Sequence, residues 1–144
     1  PFEAVDLDQL GAQADVIITI TSSFDVILHD AQIRPGTHLA CMGTDTKGKQ
    51  EIDPAVFARA RVFTDEIAQS ISIGEAQHAV GAGVILAADI SEIGQVINGA
   101  HPGRQSDTDI TIFDGTGVGL QDLAVADAVV DQAVAAGVAI EVDF

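Results

Sequence analysis

Residues 37–51 read THLACMGTDTKGKQE, and this stretch decides the fold. It opens on a short apolar run, Leu39 to Met42, and breaks at Gly43. Asp45, Lys47 and Lys49 follow within five residues, and Asp53-Pro54 comes next. An aspartate ahead of a proline is a helix start: the carboxylate caps free amides, and proline takes the first turn, where its missing N–H costs nothing. The polar cluster therefore lies on a loop between a buried strand and a helix. In an open α/β sheet, such a loop sits at the carboxyl end of a strand, where ligands bind. Both lysines of the protein are in this loop.

The same alternation continues on either side. Asp15 to Thr21, DVIITIT, is β-branched without alternation, which predicts a strand buried on both faces, as in a parallel sheet. Upstream, Phe2 to Val5 is a short candidate strand. Asp6 to Ala14 is a short helix, with Leu7, Leu10 and Ala14 on one face. Thr21-Ser22-Ser23 ends the DVIITIT strand, Phe24 to Asp30 fits no single element, and Arg34-Pro35-Gly36 is a turn. Downstream of the loop, Asp53 to Ala60 is a short helix and Arg61 to Thr64 a short strand. Asp65 is placed to cap a helix running to about Val80, with Ile67, Ile71, Glu75 and His78 at helical spacing, and Gly81-Ala82-Gly83 ends it. Ser91 to Ile97 is a further helix, stopped at Asn98-Gly99. His101-Pro102-Gly103-Arg104 is a turn, Asp109 to Phe113 the last strand, and Asp114 to Gly119 a glycine-rich exit. A long helix, Leu120 to Ala136, follows, and Ile140 to Phe144 can pair as an edge strand. Strands alternating with helices predict an α/β fold with a mostly parallel sheet and flanking helices.

Composition narrows the function. The chain has 144 residues, enough for one domain, and 47% are hydrophobic. It lacks Trp and Tyr, so the core is aliphatic. The net charge is −16, from 22 acidic and 6 basic residues. That balance argues against nucleic acid or an anionic membrane surface as partner, since both need a basic footprint. A single cysteine, Cys41, forms no internal disulfide and fits a reducing, cytoplasmic compartment. It sits within an apolar run and reads as a small packed hydrophobe. No apolar run approaches the ~18–20 residues of a membrane span. The sequence begins at Pro1 without Met and is expected to be a piece of a longer chain.

Three stretches can carry chemistry. In Gly43 to Lys49, Asp45 can move a proton at a nitrogen or carbonyl centre, and a lysine can hold a phosphate or ribose. The plainer reading is a solvated turn whose charges pair. In Asp114 to Gly119, glycines between strand and helix let backbone amides approach a ligand. The glycines fall at 115, 117 and 119, however, so G-x-G-x-x-G is not met. Thr19, Thr21, Ser22 and Ser23 can line a pocket with hydroxyls or simply end a strand. The four histidines are scattered without metal-ligand spacing, and no metal is assigned. Glu75 and His78, three apart on a helix, read as an exposed face.

Taken in order, DVIITITSS, PGTHLACMGTDTKGKQEIDP, RVFTDEIAQSISIGE and HPGRQSDTDITIFDGTGVGLQDLAVA resemble the ornithine cyclodeaminase/mu-crystallin family through nearly the whole chain. The resemblance implies a Rossmann-like sheet that binds a dinucleotide, NAD or NADP, beside a domain that binds substrate and forms a homodimer. It implies that residues 1–117 are the later part of the dinucleotide domain. Residues 118–144 are the closing helix and tail, returning towards an absent N-terminal domain. MGTDTKGKQE and FDGTGVGLQDLAVA are most similar to the branch that reduces iminosuccinate to aspartate with NADH. Asp45 matches the family's catalytic aspartate at the imine or amino nitrogen, and Lys49 a lysine that contacts the dinucleotide. Leu39, Ala40, Cys41 and Met42 match backbone lying along the cofactor, and Thr19 or Thr21 a strand-end threonine beside it. Gly115 falls where many members carry a serine near the nicotinamide, so contact there comes from backbone or from Thr116. The family also holds alanine dehydrogenases, other ketimine reductases, cyclodeaminases and mu-crystallin, a binding protein, and these remain open alternatives.

Overall fold

The computed structural model describes residues 2–142, and the elements follow the sequence pattern closely around the central loop. In chain order they are α1 (Leu7–Gln13), β1 (Val16–Thr19), β2 (His38–Cys41), β3 (Ala60–Thr64), α2 (Ile67–Ser70), α3 (Ala76–Gly81), β4 (Ile90–Glu92), α4 (Ile93–Ile97), β5 (Ile110–Asp114) and α5 (Gly119–Ala135). Short 3-10 turns at Asp30–Gln32, Pro54–Arg59 and Ala87–Asp89 join them. Asp53 caps the second of these turns as expected, its side chain accepting from the Ala55 amide at 2.9 Å.

The five strands form one sheet in the order β1-β2-β5-β3-β4, and every pairing is parallel. β5 is central: Ile112 pairs with Leu39 on one side and Val62 on the other. Leu39 and Ile112 are fully buried, and Leu28, Ile52, Val56 and Phe57 pack with them into an aliphatic core. The last strand ends one residue later than expected, at Asp114.

Several expectations are corrected. Residues 2–5 form no strand and enter no ladder. The DVIITIT strand is buried on one face only. β1 lies at the edge of the sheet, with Ile17 and Thr19 inward and Val16, Ile18 and Ile20 outward, uncovered among the described residues. The helix expected over 65–80 is two helices, α2 and α3. Its break is explained by a distant residue. The Asp114 carboxylate takes the Ser70 hydroxyl at 2.6 Å and the Glu75 and Ala76 amides at 3.0 and 3.2 Å, so those amides bond across the fold instead of along a helix. Gly74 fits the break, because a Cβ there would stand 2.6 Å from Asp114 Oδ2. Glu66, not Asp65, caps α2, its side chain accepting from Ala68. The 91–97 helix is preceded by a three-residue strand, β4, which takes its first residues. Residues 140–142 are without regular structure, and the rest of the expected edge strand, like Pro1, lies outside the described residues. α5 starts and ends one residue earlier than expected and has no buried residue, and Leu120, Leu123, Val129 and Val130 all face outward.

Candidate active site

The carboxyl ends of three adjacent strands open onto one cleft. Met42 follows β2, Asp65 follows β3 and Gly115 follows β5, and all three line it. Asp45, Gln69, Ile73, Phe113, Thr116, Gly117 and Gln121 complete the lining of a cavity of about 490 Å³. One wall is apolar, from Met42, Ile73 and Phe113, and the rim is polar. This is where a parallel α/β sheet places a ligand, because the strands end together there and their following loops diverge.

Of the residues singled out in the sequence, the fold brings Asp45, Met42, Gly115 and Thr116 to this cleft. Lys49 is not among its lining residues. Its ammonium binds the Asp45 carboxylate at 2.7 Å and the Gly43 carbonyl at 3.3 Å. The hydrogen bond from Lys49, supported by Thr46, holds the Asp45 carboxyl below the usual carboxylate range. Asp45 is thus an exposed, ionised carboxylate at the rim. Leu39 and Cys41 are buried in the core. Burial, with Glu75 and Asp114 adding negative charge nearby, pushes the Cys41 thiol well above its ordinary value, which fits packing and not nucleophilic chemistry. Ala40, between them on β2, is partly exposed. Thr19 ends β1 with its hydroxyl buried and without a hydrogen-bond partner. Thr21 is exposed; its amide donates to Glu51 Oε1 at 2.6 Å, and its hydroxyl accepts from Ser23.

Asp65 was legible in the sequence only as a helix cap, yet it builds the cleft. Its carboxylate accepts the Thr116 amide at 3.0 Å on both oxygens, the Thr116 hydroxyl at 2.6 Å and the Gly117 amide at 3.1 Å. Partial burial opposes ionisation of Asp65, but these bonds, with the Glu66 amide, hold its carboxyl below the usual range. Its position directly after a strand, like that of Met42 and Gly115, is the signal that marks it. Gln69 and Ile73, spaced i and i+4, gave no such signal.

Behind the cleft lie three fully buried carboxylates: Glu51, Glu75 and Asp114. Glu75, expected on an exposed face, accepts the Glu51 and Ile52 amides, each at 2.8 Å, and the Thr44 hydroxyl. Burial raises its pKa, against those hydrogen bonds. Burial likewise pushes Asp114 up to about 6. Glu51 Oε1 receives the Thr21 amide, while Oε2 is buried without a partner. Among the described residues no cluster of side chains has the make-up of a metal site. None of the described helices is long and apolar enough to cross a membrane.

A parallel sheet with a ligand-sized cleft across its carboxyl edge is a Rossmann-like α/β domain. The chain belongs to the ornithine cyclodeaminase/mu-crystallin family, whose sequence model matches residues 3–137. It is 63% identical over 144 residues to an iminosuccinate reductase from Paracoccus denitrificans (strain Pd 1222), covering 100% of this chain and 45% of that protein. The crystal structure of the iminosuccinate reductase of Paracoccus denitrificans in complex with NAD+ superposes with a TM-score of 0.94 at 62% identity, over 100% of this chain and 44% of that one. An archaeal alanine dehydrogenase dimer with bound NAD superposes with a TM-score of 0.89 at 36% identity, over 97% of this chain and 44% of that one. The chain therefore spans less than half the length of the relatives it matches.

Proposed function

We propose that the protein containing this chain is an NAD-dependent imine reductase that converts iminosuccinate and NADH, with a proton, to aspartate and NAD+. One observation carries the reading: the Asp45 carboxylate stands at the rim of a cleft floored by the ends of β2, β3 and β5. The iminosuccinate reductase relative and its NAD+ complex support it.

The cleft suits the nicotinamide half of the cofactor. Gly115 leaves the floor bare, and a Cβ there would stand 2.6 Å from Met42 Sδ. The Asp65 bonds to Thr116 and Gly117 fix the backbone beside it. Thr19, at the end of β1 and outside the cleft lining, is a candidate contact for another part of the cofactor. Leu39 to Met42, of which Met42 lines the cleft, would supply backbone to hold it. When bound, NADH supplies the hydride, and the protein positions and polarises.

Asp45 acts on the nitrogen. Exposed and paired with Lys49, the Asp45 carboxylate is suited to accept an N–H from a protonated imine and so to orient the C=N carbon. Lys49 in turn fixes the carboxylate through the Gly43 carbonyl. A preorganised charge of this kind is typically worth ~100- to 1,000-fold in rate. α5, with its outward Leu and Val side chains, is proposed to pack on an upstream substrate and dimerisation domain, giving a cytoplasmic homodimer. The uncovered apolar side chains at β1, Val16, Ile18 and Ile20, are proposed to be covered by that same upstream part.

The archaeal relative favours one second reading, alanine dehydrogenase. NADH oxidation by the full-length protein with oxaloacetate plus ammonia, against pyruvate plus ammonia, separates the two. Preference for oxaloacetate supports the proposal, and preference for pyruvate replaces it. Ornithine turnover without net NADH change would mark a cyclodeaminase, and tight NADH binding without turnover a binding protein; either overturns it.

A further inference from the structure

The Asp45–Lys49 loop has no regular structure of its own, and α3 with its preceding residue holds it. Glu75 Oε1 takes the Glu51 and Ile52 amides at 2.8 Å each, and Oε2 takes the hydroxyl of Thr44, the residue before Asp45. One carboxylate thus grips both ends of the loop. Gln77 fills the middle, its Oε1 accepting the Gly48 amide at 2.7 Å and its Nε2 donating to Gly74 O at 2.9 Å. His78 Nε2 meets the Lys49 carbonyl at 2.9 Å. Glu75 is itself fixed, since its amide bonds to Asp114 Oδ1 at 3.0 Å, and Gly115 of the cleft floor follows Asp114.

The geometry points to Glu75 as a positioning residue that sets where Asp45 stands over the cleft, acting by shape and hydrogen bonding instead of touching substrate. Its catalytic half rests on the imine-reductase reading; its structural half does not. The buried carboxylate forms three bonds to the loop and ties it to the end of β5, so the two segments flanking the cleft move as one body. A glutamine can reproduce the pattern: its Oε1 accepts both amides and its Nε2 donates to the Thr44 hydroxyl. An alanine cannot.

The test uses the full-length protein and four variants: Glu75→Ala, Glu75→Gln, Asp45→Asn and the Asp45→Asn/Glu75→Ala double variant. Glu75→Ala is expected to lower kcat ~10- to 100-fold, as small misplacements of reacting groups do, with NADH Kd within about 3-fold. Glu75→Gln is expected to rescue kcat to within about 3-fold of the parent. In the Asp45→Asn background, Glu75→Ala is expected to cost no more than about 2-fold further, because it acts through Asp45. Amide hydrogen exchange over residues 44–52 is expected to quicken ~10-fold in Glu75→Ala and to be restored by Gln. Unchanged kcat and exchange in Glu75→Ala, a Gln variant as impaired as the Ala variant, or a full additional loss in the double variant would each overturn the proposal. If Glu75→Ala does not fold, Thr44→Val removes one of the three bonds and must show the same kcat-without-Kd loss, at ~3- to 10-fold. A parent protein inactive on imines sinks the functional reading, and the exchange measurement still decides the role of Glu75.

Discussion

The Asp114 carboxylate accepts the backbone amide of Glu75 at 3.0 Å, joining the end of the central strand to the start of α3. The two residues are 39 positions apart, and both side chains are buried. Burial pushes Asp114 from 3.8 up to about 6. A carboxyl whose pKa is raised by folding binds its proton more tightly in the folded state. Its contribution to stability is complete below the unfolded value and is lost as pH rises through the folded one. A rise from 3.8 to about 6 corresponds to on the order of 3 kcal/mol. In Asp114→Asn this dependence is gone. The melting temperature of the parent relative to the variant should therefore fall between about pH 4 and pH 6. A difference that is flat or rises across that window would contradict the assignment.

Asp65 is the anchor of the cleft floor. Asp65→Ala leaves the Thr116 and Gly117 amides and the Thr116 hydroxyl without their acceptor. A buried donor left unpaired costs ~1–3 kcal/mol, so unfolding free energy should fall by about that amount. Exchange of the 116 and 117 amides should quicken. Full protection of both amides in the variant would show that another group holds this loop.

Two glycines separate rigid from adaptable packing. A Cβ at Gly43 would stand 2.5 and 2.6 Å from backbone O and N of Thr21. Backbone cannot yield there without moving the exit of β1, so Gly43→Ala should cost ~1–3 kcal/mol or more. At Gly115 the nearest atoms are Sδ and Cε of Met42, at 2.6 and 2.7 Å, the free end of a flexible side chain. Gly115→Ser should cost under ~1.5 kcal/mol as Met42 rotates. Chemical denaturation of both variants gives the comparison, and equal losses would refute it.

Around the central loop, local signals sufficed. The apolar run of β2, the break at Gly43 and the Asp53-Pro54 start each follow from residue chemistry that neighbours do not override. Asp45 was legible for the same reason, as a charged residue on the loop after β2, whereas Met42, Gly115 and Thr116 were marked as site residues by the family resemblance. The buried acids were not. Glutamate and aspartate are rarely buried unless paired, so Glu75 read as an exposed face, and nothing local marked Glu51 or Asp114 as buried. Here backbone amides and hydroxyls satisfy Glu75 and Asp114, from partners 23 to 44 residues away. The division of the 65–80 helix has the same origin, because helical spacing carries no trace of a carboxylate arriving from β5. β4 escaped notice because three residues show no period.

The central claim is that Asp45 works on the reacting nitrogen while others hold the cofactor. The most direct test is Asp45→Asn in the full-length protein, measuring kcat for imine reduction alongside NADH Kd. Lys49 loses its anionic partner, but the cleft floor at Met42, Asp65 and Gly115 is untouched. The prediction is a fall in kcat of ~100-fold or more with Kd within about 3-fold. An unchanged kcat, or a loss accounted for wholly by weaker NADH binding, would contradict it.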